Sequence, residues 1–166
     1  MKINKLKILI MFVFALCSLC NSYAQELRGL KMFLGFTQYN NEAEKFKNYL
    51  PNLQYVINKI EYKIPELESA YNKSIIGDGF CSLWLSFNYF QNFEIQNDVI
   101  YYGGIELVVY RDFIDKKTDL TITPKVFYEL YYITMVNPTV DMIKQDSYNV
   151  TNELIDKLAL EYYKDN

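Results

Sequence analysis

Glu106 and Glu129 are carboxylates set inside runs of aromatic and β-branched residues, and they could do chemistry without any other side-chain class. Two carboxyl groups flanking a bond suffice for glycoside hydrolysis, one protonating the leaving oxygen while the other activates water or attacks directly. The chain has no histidine. That excludes Ser-His-Asp and Cys-His nucleophilic catalysis, histidine-ligated zinc and the usual acid–base group of neutral pH. No glycine-rich loop with its lysine is present to cradle a phosphate. Asp112, Asp115 and Asp119 lie close together, but their spacing matches no calcium loop and reads as a solvated turn. Glu106 and Glu129 also have a plain reading, as glutamates on the wet face of a sheet. The exclusions together weigh against an enzyme, with no metal site and no cofactor.

Recognition is the other chemistry available. Alternation places Trp84 with Ser82, Ser86 and Asn88, and away from Cys81, Leu83 and Leu85. The same period puts Tyr102, Glu106 and Tyr110 on one face of a second strand block, and Glu129 with Tyr131 on one face of a third. Were these faces to coincide, the sheet would present an aromatic, acidic surface to a protein, peptide or glycan. Aromatic side chains give large contact area at low entropy cost, and 16 tyrosines supply the material for such a surface. The competing reading has helices covering this face and the tyrosines packed with their hydroxyls at the rim.

The elements that must position these residues follow from a change of period. From Ala43 the apolar residues recur at spacings of three and four: Phe46, Leu50, Leu53, Ile57, Ile60, Ile64, Leu67 and Tyr71. Taken alone this is a heptad seam, which could pair with another chain as a structural or assembly partner. Pro51 and Pro65 interrupt it, so the spacing predicts amphipathic helices over 41–49, 51–63 and 65–74, the last two opening on a first-turn proline. Gly77-Asp78-Gly79 breaks the helical pattern and strands follow, over 81–89, 99–110, a short piece at Leu120 and Ile122, and 126–136. Gly103-Gly104 is either a hairpin turn or a bulge within one long strand. Val150, Leu154, Leu158 and Tyr162 give a closing amphipathic helix, with a helical turn over 140–144 before it. The fold class is therefore α+β: Pro-interrupted N-terminal helices, an antiparallel sheet of about four to five strands and a C-terminal helix.

The N-terminus reads as an export signal. Lys2, Lys5 and Lys7 precede an uncharged apolar run that starts at Ile8 and ends by Cys20, short of the roughly 20 residues a helix needs to span a bilayer. Ser22 and Ala24 set small side chains at the positions a signal peptidase must accommodate, so residues 1–24 are expected to leave and 25–166 to form one domain outside the cytoplasm, in the periplasm or secreted. Losing those lysines moves the net charge from −3 to about −6, a surface that repels phosphate backbones and so argues against nucleic acid. No transmembrane span is expected in the mature chain. Cys81 is then the one cysteine left, without an intramolecular partner. The reading of the chain is a small non-enzymatic exported binding module. Mass spectrometry of the exported protein is expected to find Gln25, or its cyclised form, first; a chain starting at Met1 in the cytoplasmic fraction would defeat the assignment.

Overall fold

A computed structural model describes residues 27–70, 79–115, 118 and 120–166. The predicted signal segment and the 71–74 part of the third predicted helix lie outside the described residues.

The chain is α+β. Strand β3 (Phe80–Ile95) is central and pairs on one side with β4 (Asp98–Arg111), which in turn pairs with β7 (Lys125–Val136). On its other side β3 pairs with β1 (Met32–Tyr39), and the short β2 (Glu68–Ser69) adds to the start of β1. The sheet order is β2-β1-β3-β4-β7. Both β1–β2 and β1–β3 are parallel, which corrects the expected all-antiparallel sheet: it is mixed. The short strands β5 (Phe113–Asp115) and β6 (Leu120–Ile122) form a separate hairpin between β4 and β7.

The period-2 pattern of β3 is realised in full. Cys81, Leu83, Leu85, Phe87 and Tyr89 are all buried on one side of the sheet. Two helices cover that side, α2 (Leu53–Lys63) and α3 (Val140–Asp165). Helix α2 buries Val56, Ile57 and Ile60. It can lie down on β1 because Gly35 has no side chain; a Cβ there would stand 3.0 Å from Leu53 Cδ1. Helix α3 buries Ile143, Leu154, Ile155 and Leu158, with Ser147 and Thr151 on the same buried stripe. The two helices are joined side by side by Tyr55 Oη donating to Asn152 Oδ1 at 2.8 Å and by the Lys63–Asp156 ion pair at 2.6 Å.

Several local expectations change. The helix expected over 41–49 is one turn, α1 (Asn41–Glu44), followed by a 3₁₀ turn at Lys47–Tyr49. Asn40 caps α1 through Oδ1 to Ala43 N–H, and its amide also exchanges hydrogen bonds with the Tyr89 backbone, extending the ladder of β3 past the end of β1. Pro51 precedes the N-cap Asn52 and is not the first helical residue. Past Ile64 the chain turns into β2, so the described part of the helix expected over 65–74 is not helical. Gly103-Gly104 is neither a turn nor a bulge: both sit in register inside β4. The turn joining β3 to β4 is Gln96-Asn97, both at positive φ (50° and 79°), as a two-residue type I′ hairpin requires. The segment 126–136 is strand, and the helical turn over 140–144 is the beginning of a single 26-residue helix. The terminal pieces close on each other, with Asp165 Oδ2 accepting from Leu27 N–H at 3.1 Å and Asn166 Oδ1 from Gly29 N–H at 2.8 Å.

Gly103 is required by backbone approach. A Cβ on it would stand 2.2 Å from the Asn88 carbonyl oxygen, whereas one on Gly104 would crowd the end of the Leu130 side chain at 2.8 Å and lie 3.4 Å from the Tyr131 carbonyl oxygen, an ordinary contact. Gly103→Ala is expected to cost about 3 kcal/mol of stability and Gly104→Ala less, about 1 kcal/mol, since a flexible side-chain end can move aside. Denaturant melts of the two variants check the order, and equal costs would contradict this account.

Candidate functional site

Residues directly opposite one another in a sheet share a face, so register settles which side chains meet. Trp84 lies opposite Phe36 on β1 and Val108 on β4, Ser82 opposite Tyr110, and Ser86 opposite Glu106. Val108 continues to Tyr128 on β7, and Gly104 to Tyr132. The face turned away from the helices therefore carries Phe36, Trp84, Tyr102, Tyr110, Tyr128 and Tyr132. On it Phe36 stacks on Trp84 with centroids 4.4 Å apart, and Tyr102 stacks on Tyr132 at 6.1 Å. Tyr132 is 69 % exposed. No described helix packs against this face; Tyr102, Tyr128 and Tyr132 are exposed on it, while Trp84 and Tyr110 are half-buried.

Trp84, Tyr102, Glu106 and Tyr110 are thus brought together as expected. Glu129 and Tyr131 are not. Glu129 pairs with Leu107 and Tyr131 with Ile105, which places both on the helix-covered face. There Glu129 accepts an ion pair from Lys157 of α3 at 2.9 Å, and the same ammonium lies 4.7 Å from the Tyr131 ring centroid. Alternation defines two faces of a strand without saying which of them matches a neighbour's, and register alone decides it. Two carboxylates on opposite sides of a sheet cannot flank one glycosidic bond, so the geometry gives Glu106 and Glu129 no common cleft. The heptad-spaced residues are equally committed: Ala43, Leu50, Ile57, Ile60, Ile64 and Leu67 are all core, which leaves no seam for a partner helix.

The open face has a shallow concavity of about 420 Å³. Trp84, Ser82 and Ser86 of β3 form its floor, with Glu106 and Tyr110 on one flank and Gln38 of β1 on the other; Thr123, at the foot of the β5–β6 hairpin, closes one end. Sequence reasoning missed Gln38, Phe36 and Thr123. The first two stand on a strand it did not foresee, and Thr123 lies between two predicted strands, where alternation assigns no face. Tyr128 also belongs here. Its phenol is raised above its ordinary range by partial desolvation and by the adjacent Glu106 carboxylate, to which its hydroxyl is hydrogen-bonded. Lys125 sets its ammonium 4.2 Å from the Tyr128 ring centroid. Phe113, Leu120 and Ile122 of the hairpin are exposed, and Ile122 adjoins Thr123 in the chain.

Other candidates for chemistry are closed off. Burial pushes the Cys81 thiol up to about 12 from 9.0, and its Sγ lies 3.6 Å from the Met32 carbonyl oxygen, so it is neither thiolate nor accessible. Among the Asp112, Asp115 and Asp119 group, Asp112 accepts from the Thr123 hydroxyl at 2.5 Å and Asp119 lies outside the described residues. Among the described residues no cluster of metal-ligating side chains is present.

No protein-family model matches the chain, and no curated protein is significantly similar to it. Solved structures do resemble it. A candidate neuraminyllactose-binding hemagglutinin homolog of Helicobacter pylori is 11 % identical, with a TM-score of 0.47 over 82 % of this chain and 88 % of that one. An uncharacterised protein is 7 % identical, with a TM-score of 0.42 over 80 % and 92 %. A minor lipoprotein of Acinetobacter baumannii is 9 % identical, with a TM-score of 0.31 over 79 % and 87 %. No helix among the described residues is long and apolar enough to cross a membrane.

The buried titratable groups give a pH dependence. Burial raises Tyr89 from 10.0 to about 12, against the hydrogen bond from its hydroxyl to Ser147, which lowers it. Cys81 and Tyr89 are both neutral in the folded core and ionise more readily once unfolded. Their contribution is therefore whole below about pH 9 and is lost as pH climbs toward 12, where the unfolded chain binds fewer protons than the native one. Melts at rising pH are expected to show stability falling across this window, less steeply in Tyr89→Phe; a slope unchanged by that substitution would remove Tyr89 from the account.

Proposed function

We propose that this chain is an exported, non-enzymatic binding module that recognises a protein, peptide or glycan through the open face of its sheet. One observation carries the reading: both long helices pack on one side, and the other side carries a half-buried Trp84 in a concavity with the exposed Tyr102, Tyr128 and Tyr132 on the same face. An aromatic surface left uncovered by the chain's own helices is the arrangement that recognition surfaces use, with a few large side chains supplying most of the binding energy. The polar side chains Gln38, Ser82, Ser86 and Glu106 at the concavity would fix ligand orientation. Catalysis by a carboxylate pair finds no support, since Glu129 is bound to Lys157 on the far face.

Trp84 is the chain's single tryptophan, so its fluorescence reads the site directly. Acrylamide should quench it in the free protein and lose access when ligand binds. Trp84→Ala is expected to cost about 1 kcal/mol through the lost stack on Phe36, to keep the circular dichroism of the wild type, and to weaken capture of ligands from envelope or culture extract at least tenfold. Unfolding of the variant would make Trp84 a core residue, and unchanged capture would remove the face from binding.

A further inference from the structure

The open face has a charge that selects among ligands. Glu106 is the one ionisable carboxylate among the side chains that line the concavity, it is half-buried, and among the described residues no cation lies within ion-pairing distance of it. Its partner is the Tyr128 hydroxyl. A carboxylate has two oxygens and accepts several hydrogen bonds, so one phenol leaves most of its capacity unused. Beside it lie the indole of Trp84 and the ring of Tyr110, whose electron-rich faces attract positive charge. The face already holds one ammonium this way, since Lys125 stands over Tyr128. Lys125 forms no ion pair with Glu106.

Taking the proposed binding face as given, we propose that its occupant is a basic peptide segment, with one arginine or lysine side chain seated in the concavity, its charge on Glu106 and its aliphatic stem along Trp84. The hydroxyls of Ser82 and Ser86 and the Gln38 carbonyl are acceptors placed for the remaining N–H groups. The flanking peptide would lie across Tyr102, Tyr128 and Tyr132. Half-burial strengthens the attraction relative to bulk water, and the acid excess of the chain draws basic partners and repels anionic ones. A neutral saccharide could stack on Trp84 and donate hydroxyl hydrogen bonds to Glu106, but it carries no positive charge to pair with the carboxylate. An anionic ligand would meet it with repulsion.

The probes are a capped glycine-arginine-glycine-arginine-glycine peptide, the same peptide with citrulline in place of arginine, and maltotriose, each titrated into the full exported chain with Trp84 emission and NMR shifts as readouts. The arginine peptide is expected to bind, to weaken at least tenfold against Glu106→Gln, to weaken as salt is raised, and to exceed the citrulline peptide by a similar factor. Glu106→Asp should restore part of the affinity, and Glu129→Gln, on the other face, should leave it unchanged; thermal melts establish that each variant is folded. Equal binding of the citrulline peptide, tighter binding of maltotriose, or indifference to Glu106→Gln would overturn the cationic occupant while a Trp84-dependent signal kept the binding face. Absence of any response to the arginine peptide would overturn it too. Failure of the face itself would show separately, as capture from extract that Trp84→Ala does not change.

Discussion

Cys81, Leu83, Leu85, Phe87 and Tyr89 leave β3 on the same side, and all five must be kept from water. At about 1.5–3 kcal/mol for each fully buried large apolar side chain, this row is among the strongest contributions to folding. It also dictates where everything else goes. Two helices are needed to cover a sheet this wide, and both must lie on the β3 core side. Helix α2 takes the β1 half, which requires Gly35; helix α3 takes the β4 and β7 half and turns its small residues Ser147, Thr151 and Ala159 inward. The one polar group that the row brings into the core is answered there, since the Tyr89 hydroxyl reaches Ser147, whose own hydroxyl donates to the Ile143 carbonyl at 2.6 Å. With both long helices committed to one side, no described helix covers the opposite face.

What the sequence made legible follows from which interactions are local. The alternation of β3 is a property of one strand, and it separated Trp84 and its neighbours from the core row, without saying whether helices would cover their side. The spacing of Val150, Leu154, Leu158 and Tyr162 is equally local, and so was the β-branched run of β7. Strand β1 was not legible: Gly35 interrupts its apolar pattern, and its pairing is parallel, with partners almost fifty residues away. Glu129 and Tyr131 went to the wrong face because parity along β7 has to be carried across β4, where the pairing shifts by one residue between Val109 and Tyr110. Pro65 resembled a helix start because a proline is as welcome in the turn that leads into β2 as in a first helical turn.

The exposed face poses a solubility problem that the structure answers with chemistry at its margins. An uncovered sheet whose edge strand is long invites pairing with other chains. On β7 that edge carries Lys125 at its start and the Glu129–Lys157 ion pair near its middle, charges that an incoming strand would have to desolvate. At the other edge β2 pairs with the first residues of β1. The face itself is built mainly from tyrosine and not from leucine or isoleucine, so each ring offers area for contact and a polar hydroxyl at its end. Such a surface tolerates water and still gains from being covered. That combination suits reversible association better than permanent assembly, because the free and bound states are both well solvated. The apolar hairpin residues Phe113, Leu120 and Ile122 are exposed, and Ile122 precedes Thr123, which closes one end of the concavity. A ligand seated over Trp84 would meet the polar groups Gln38, Ser82, Ser86 and Glu106 together with the indole ring, so that hydrogen bonding sets its position and stacking adds contact area.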